Sequence, residues 1–180
     1  MLDTHAFRTS ARRLGAGIAG LALLAPAVAL AAGPAGAATT PPRCLAGQMA
    51  ARLVGAEGAA GSLYVKIQFT NLTAHRCSLA GRPGVSFVAG DDGHQVGLSA
   101  RRNLAVPVVR VTLAPGGKAR AQLRITNQAN YPAAACVPRH VRGLRVYPPG
   151  STAAMYIPDP QTACSSSAVR QMTIDPVRPV

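Results

Sequence analysis

Beyond residue 38 the chain nowhere keeps a helical apolar period for three turns without meeting a glycine or a proline, which removes long helices from the folds open to it. What it keeps is period two. In 62–70, Leu63, Val65, Ile67 and Phe69 alternate with Tyr64, Lys66, Gln68 and Thr70. A strand with one face in a core and the other in water requires that alternation. The run 119–127 repeats it, with Ala121, Leu123 and Ile125 set against Arg120, Gln122, Arg124 and Thr126. In 106–113, Val109, Val111 and Leu113 alternate with Arg110 and Thr112, and Pro115-Gly116-Gly117 then offers a tight reversal. The runs 106–113 and 119–127 are therefore expected to pair as a β-hairpin. Further strands are expected at 49–54, 85–89, 95–98, 144–147, 153–157 and 169–174. Eight or nine short strands in one domain predict an all-β fold: a two-sheet antiparallel sandwich of immunoglobulin-like arrangement, with a barrel as the alternative. The chain has no Trp, so the buried tryptophan that marks antibody domains is missing.

The first 38 residues read differently. Arg8, Arg12 and Arg13 precede an uncharged run at 14–32, and Gly33-Pro34-Ala35-Gly36-Ala37-Ala38 follows. A basic head, an apolar middle and small residues at the end predict a cleavable export signal, cut after Ala37 or Ala38. The apolar run has the length of a membrane anchor, but it is Ala- and Gly-rich and broken by Pro26, so no stable membrane insertion is expected after cleavage. Arg12-Arg13 raises twin-arginine export, which the flanking Ala11 and Leu14-Gly15 match poorly. Cys44 follows Pro41-Pro42-Arg43 and not the small apolar box of a lipid-attachment site. The expected organisation is a signal peptide at 1–38, a Pro-rich lead at 39–43, one β-sandwich domain at 44–176 and a tail at 177–180, secreted or loosely associated with the cell wall.

Cys44, Cys77, Cys136 and Cys164 all lie beyond the signal, and an even count in an exported chain predicts two disulfides. Three pairings are possible. Cys44 with Cys77 and Cys136 with Cys164 is preferred, because each bond then closes a loop of about 30 residues, worth roughly 3–4 kcal/mol. No two cysteines have the close spacing of a zinc knuckle or a redox motif. Cleavage would remove three of 19 cationic residues and one of 6 acids, leaving a formal net charge of +11. Such an excess bears on attraction for polyanions and not on fold.

An ordered set of turn and strand-end motifs runs through the same region. Cys44 comes first, then Phe69-Thr70-Asn71, Cys77-Ser78-Leu79 and Gly81-Arg82-Pro83-Gly84-Val85. Leu113-Ala114-Pro115-Gly116-Gly117, Asn130-Tyr131-Pro132, Leu144-Arg145-Val146-Tyr147-Pro148-Pro149-Gly150 and Cys164 follow. In that order they resemble the family known as domain of unknown function 4232, exported and envelope-attached proteins of high-GC Gram-positive bacteria. The resemblance implies a secreted β-sandwich and carries over no activity and no catalytic residue. Many members bear a lipid-attachment cysteine, which this chain lacks.

The residues themselves assign no catalytic, cofactor-binding or metal-binding group. His75, His94 and His140 have few acids to support them, and Ser165-Ser166-Ser167 lack the glycine pattern of a nucleophile elbow. Asp91-Asp92-Gly93-His94 holds potential metal ligands, yet Asp-Gly between two strands is first a hairpin signal. Asn71-Leu72-Thr73 matches a glycosylation sequon and is read as an exposed turn, and Tyr131, Tyr147 and Tyr156, near prolines, as the rim of the core. The densest basic segments are Arg139, Arg142 and Arg145, and Arg101 with Arg102, whose plainer reading is solvated loop, apart from Arg145 in the expected strand 144–147. They are the candidate polyanion-binding residues, for an anionic wall polymer or an envelope protein as partner. Nucleic acid is disfavoured, since few aromatics accompany the arginines. The expected protein is a monomeric, non-enzymatic binding domain without cofactor. The alternatives are a hydrolase with a loop-built site and a wall component with no specific ligand.

Overall fold

The structure, a computed structural model, describes residues 40–180. The expected signal peptide at 1–38 lies outside the described residues. Among the described residues no helix is long and apolar enough to cross a membrane.

Twelve strands follow one another: β1 (Met49–Ala59), β2 (Ser62–Asn71), β3 (Cys77–Ala80), β4 (Gly84–Ala89), β5 (His94–Val96), β6 (Arg101–Arg102), β7 (Arg110–Leu113), β8 (Lys118–Thr126), β9 (Pro138–Tyr147), β10 (Met155–Cys164), β11 (Met172–Ile174) and β12 (Arg178–Pro179). The sole α-helical segment among the described residues, α1 (Ala133–Cys136), is a single turn. One sheet has the order β1-β2-β8-β11-β6, with β12 also paired to β8; the second has the order β10-β9-β4-β5; β3 and β7 form a separate ribbon. All pairings are antiparallel except β11 with β6.

The alternation read from the sequence is the reason β2 and β8 lie at the centre of the large sheet. Val65, Ile67 and Phe69 of β2 and Ala119, Ala121, Leu123 and Ile125 of β8 face inward. There they join Val85, Phe87, Leu144, Val146 and Ile157 of the second sheet and Leu79, Val111 and Leu113 of the ribbon in one apolar cluster. Burying these side chains is the main favourable contribution to the fold, each Val, Leu, Ile or Phe worth about 1.5–3 kcal/mol. The reversal from β1 to β2 is a two-residue turn in which Ala60 (φ 46°) and Gly61 (φ 68°) are both left-handed, the turn that matches strand twist.

The preferred disulfide pairing is the one observed. Cys44–Cys77 anchors the segment before β1 to β3, and Cys136–Cys164 ties α1 to the end of β10. Both disulfides and, among the described residues, the apolar core lie within residues 44–177, and 39–180 forms one compact unit. The segment 39–180 thus holds all that its folding requires. The flanks take part: Ser78 N donates to Pro42 O at 2.7 Å, Val177 is fully buried, and Arg178–Pro179 is β12.

Three local expectations are corrected. The runs 106–113 and 119–127 do not pair as a hairpin: β7 pairs with β3 and β8 with β2. The Pro115-Gly116-Gly117 reversal instead carries the chain between sheets, because Asn71 seizes it: Asn71 N donates to Gly117 O and Gly116 N to Asn71 O. Asn71 is accordingly buried, not part of an exposed turn. Its Nδ2 donates to His75 O at 2.8 Å and lies within bonding distance of Leu113 O and Ala114 O, and its Oδ1 accepts from Thr73 N at 3.0 Å. Finally, the basic residues read as loop lie in strands: Arg101 and Arg102 are β6, and Arg139 and Arg142 belong to β9, which extends the expected strand of Arg145 back to Pro138.

Candidate functional site

The two basic segments fall on different sheets and do not form one patch. On β9, Arg145 turns to its neighbours, with Nη1 3.4 Å from Gly93 O and Nη2 3.3 Å from Gln95 Oε1. Arg142 lies over the Tyr156 ring, 5.0 Å from its centroid, while the Tyr156 hydroxyl donates to Arg142 O at 2.8 Å. Arg139 pairs with Ala163 near the second disulfide and is exposed.

A larger positive surface is built on the outer face of the six-stranded sheet, where register brings together residues distant in sequence. One cross-strand row runs Arg52, Gln68, Arg120, Arg178. The next holds Val54, Lys66 and Gln122, with Asp175 bonded to the Gln122 backbone. A third runs Glu57, Tyr64, Arg124, Thr173, Arg101. Strands lie about 4.8 Å apart and same-face residues about 7 Å apart along a strand, so Arg120 and Arg124 stand roughly 13 Å apart on β8. Glu57 and Asp175 are the acids in these rows.

Three adjacent concavities open on this face. One of about 360 Å³ is lined by Lys66, Arg120, Gln122 and Arg178 together with Val106 and Pro179. Another of about 290 Å³ is lined by Tyr64, Arg101, Arg124, Thr173 and Asp175, and a third of about 180 Å³ by Glu57, Tyr64 and Lys66. Polar donors line the two smaller concavities, while the largest sets Lys66, Arg120 and Arg178 against an apolar wall of Val106, Pro176, Pro179 and Val180 with Asp175 beside them; the cationic groups suit phosphate or carboxylate oxygens. A larger hollow of about 610 Å³, at the β1–β2 turn, is lined by small residues and amides such as Gln128, Gln161 and Gln171, without a charged group. It has less to hold a ligand with than the cationic face.

With so few acids, the arginines satisfy their donors on backbone carbonyls. Arg43 donates to Gly150 O (2.7 Å), Arg82 to Asn103 O (2.6 Å), Arg170 to Ser99 O (2.7 Å) and Arg178 to Pro107 O (2.6 Å). Among the described residues, the ion pair involving an arginine is Arg142–Asp91 at 4.0 Å, with both side chains exposed. The positive charge is therefore held in place but not neutralised.

The titratable residues singled out from the sequence are dispersed. His75, His94 and His140 are exposed and line none of the three concavities. His94 Nδ1 lies 2.9 Å from Asp92 Oδ1, a hydrogen bond that holds the Asp92 carboxyl below its ordinary range. His140 Nδ1 lies 3.5 Å from Thr162 Oγ1. Asp91, Asp92 and Gly93 make the reversal between β4 and β5, as their sequence predicts. Asp159 is half-buried, and desolvation pushes its carboxyl up against the opposing hydrogen bond from Gln161. Of the three tyrosines read as core rim, Tyr131 packs against the Cys136–Cys164 cluster and Tyr147 is half-buried, while Tyr156 is exposed.

Sequence reasoning missed Lys66, Arg120, Arg124 and Arg178 as a group. The signal was present, since the polar halves of the alternations in β2 and β8 name the first three. What was missing was the pairing of β2 with β8, which turns two striped strands into one charged face.

No curated protein and no solved structure matches the chain. One family model matches residues 44–178, from the first disulfide cysteine to the last strand. That span holds both disulfides, both large sheets and the cationic face, and the chain therefore belongs to the domain of unknown function family DUF4232.

Proposed function

We propose that this domain is a non-enzymatic binding module that holds an anionic polymer of the cell envelope against the outer face of its six-stranded sheet, acting as a single chain outside the cell. The observation that carries the reading is the register placing Arg120, Lys66 and Arg124 in successive rows, with Arg178 and Arg101 beside them and the concavities between. Cationic groups set in successive rows across a sheet suit a chain of repeated charges better than a compact ligand. The two closed disulfides fit an oxidising compartment, which supports export. A hydrolase with a loop-built site would need a histidine within reach of a serine in a cavity. The exposed positions of His75, His94 and His140 favour binding over that reading.

The test is retention of oxidised 39–180 on fractionated cell envelope at low and high salt. Retention should be lost at high salt and in Arg120→Gln/Arg124→Gln, and kept in Arg139→Ala/Arg142→Ala/Arg145→Ala. Retention that ignores salt, or that follows the β9 triple variant, overturns the assignment of this face.

A further inference from the structure

Between β6 and β7 the chain crosses the edge of the cationic sheet as an irregular segment, residues 103–109, whose side chains contradict their exposure. Leu104 is 80% exposed, Val108 47% and Val109 41%. Three exposed aliphatic side chains on one short segment offer apolar area to a partner. The segment is not loose. Arg82 donates to Asn103 O and Val106 O, Arg178 donates to Pro107 O, and Asn103 itself donates to Asp175 Oδ1 and accepts from Ala105 N. These bonds hold its polar backbone toward the domain. Val106 faces the concavity shared with Lys66, Arg120 and Arg178, so the apolar segment borders the cationic face.

Charge surrounds the patch. Exposed Arg101 and Arg102 precede it, Arg82 bonds two of its carbonyls and Arg178 lies beneath Pro107. Among the described residues, the acid closest in the hydrogen-bond network is Asp175, already bonded to Asn103. Protruding aliphatic groups within a collar of arginines match the interface of an anionic bilayer, where the aliphatic groups enter the acyl boundary and the arginines meet phosphate headgroups. A soluble polyanion would leave Leu104, Val108 and Val109 in water, and a neutral apolar partner would leave the arginines unused.

We propose that segment 103–109 docks this domain reversibly on anionic membrane surfaces, with Leu104, Val108 and Val109 as the inserting residues and Arg101 and Arg102 as the headgroup contacts. This surface adjoins the polymer-binding rows proposed above and shares Arg101 with them.

The experiment is flotation of oxidised 39–180 with vesicles of phosphatidylcholine alone and with one third phosphatidylglycerol, beside a soluble polyphosphate column. The wild type should float with anionic vesicles only. Leu104→Ser/Val108→Ser/Val109→Ser should lower vesicle affinity at least about tenfold while leaving polyphosphate retention unchanged. Arg101→Ser/Arg102→Ser should lower vesicle binding and make what remains less sensitive to salt. These positions are exposed, and near-ultraviolet circular dichroism confirms that each variant is folded. No binding of the folded wild type to anionic vesicles overturns the proposal. So does undiminished binding of the triple variant, which would assign the attraction to the sheet face alone. Wild type that binds anionic vesicles but is not retained on polyphosphate would instead count against the polymer-binding reading and support this one.

Discussion

At the scale of single residues, Asn71 shows how a polar side chain can specify topology. Buried at the end of β2, it binds the turn ahead of β8 through its backbone and the segment before β3 through its amide. Asn71→Ala would strand several of these carbonyls and N–H groups, and should cost about 2–3 kcal/mol in urea unfolding. Ala60 is the opposite case, a residue poorly suited to its left-handed turn position. Ala60→Asn would create the Asn-Gly pair this turn prefers and should raise stability by about 0.5–1 kcal/mol, seen as a higher urea midpoint. Neither role was legible in the sequence: Asn71-Leu72-Thr73 looks like a surface sequon, and Ala60-Gly61 lacks the usual turn signature. Single-residue roles of this kind depend on which strands meet, information that a local pattern does not hold.

At the scale of elements, the period-two runs of β2 and β8 were legible because burial on one face writes itself into alternate residues. Their partners were not. A tight reversal such as Pro115-Gly116-Gly117 serves equally as a hairpin or as a crossing between sheets, and long-range bonds to Asn71 decide the matter. The two disulfides were legible for a different reason, since loop length favours neighbours in sequence. Replacing either pair by serines should cost about 3–4 kcal/mol, with similar losses for separations of 33 and 28 residues, measured by thermal unfolding of each double variant. The β9–β10 pair has a sharper sensitivity. A Cβ on Gly143 would collide with Ile157 O and press on the Tyr156 ring, so Gly143→Ala should destabilise the domain by about 2–4 kcal/mol in the same measurement.

At the scale of the whole molecule, the charge excess was plain in the composition, but its placement required the fold: alternation supplied the residues and register supplied the face. Unneutralised positive charge also repels itself. Sodium chloride should therefore raise the melting temperature of 39–180 through the range where the Debye length shrinks from about 30 to about 8 Å, and scanning calorimetry would detect it. The arginine clamps on Gly150, Asn103, Ser99 and Pro107 have another consequence. Most proteins unfold in acid because carboxylates that brace the native state take up protons. Here the braces end on peptide oxygens, which do not titrate. The two perturbed carboxylates act in opposite directions. Asp92, held below its ordinary value by His94 but fully exposed, gives up a small contribution as pH falls; Asp159, raised by burial, favours the folded state more as pH falls through its raised value. A domain fastened in this way should keep its near-ultraviolet circular dichroism into strongly acidic solution, tolerating sourness that would dissolve a protein tied together by salt links.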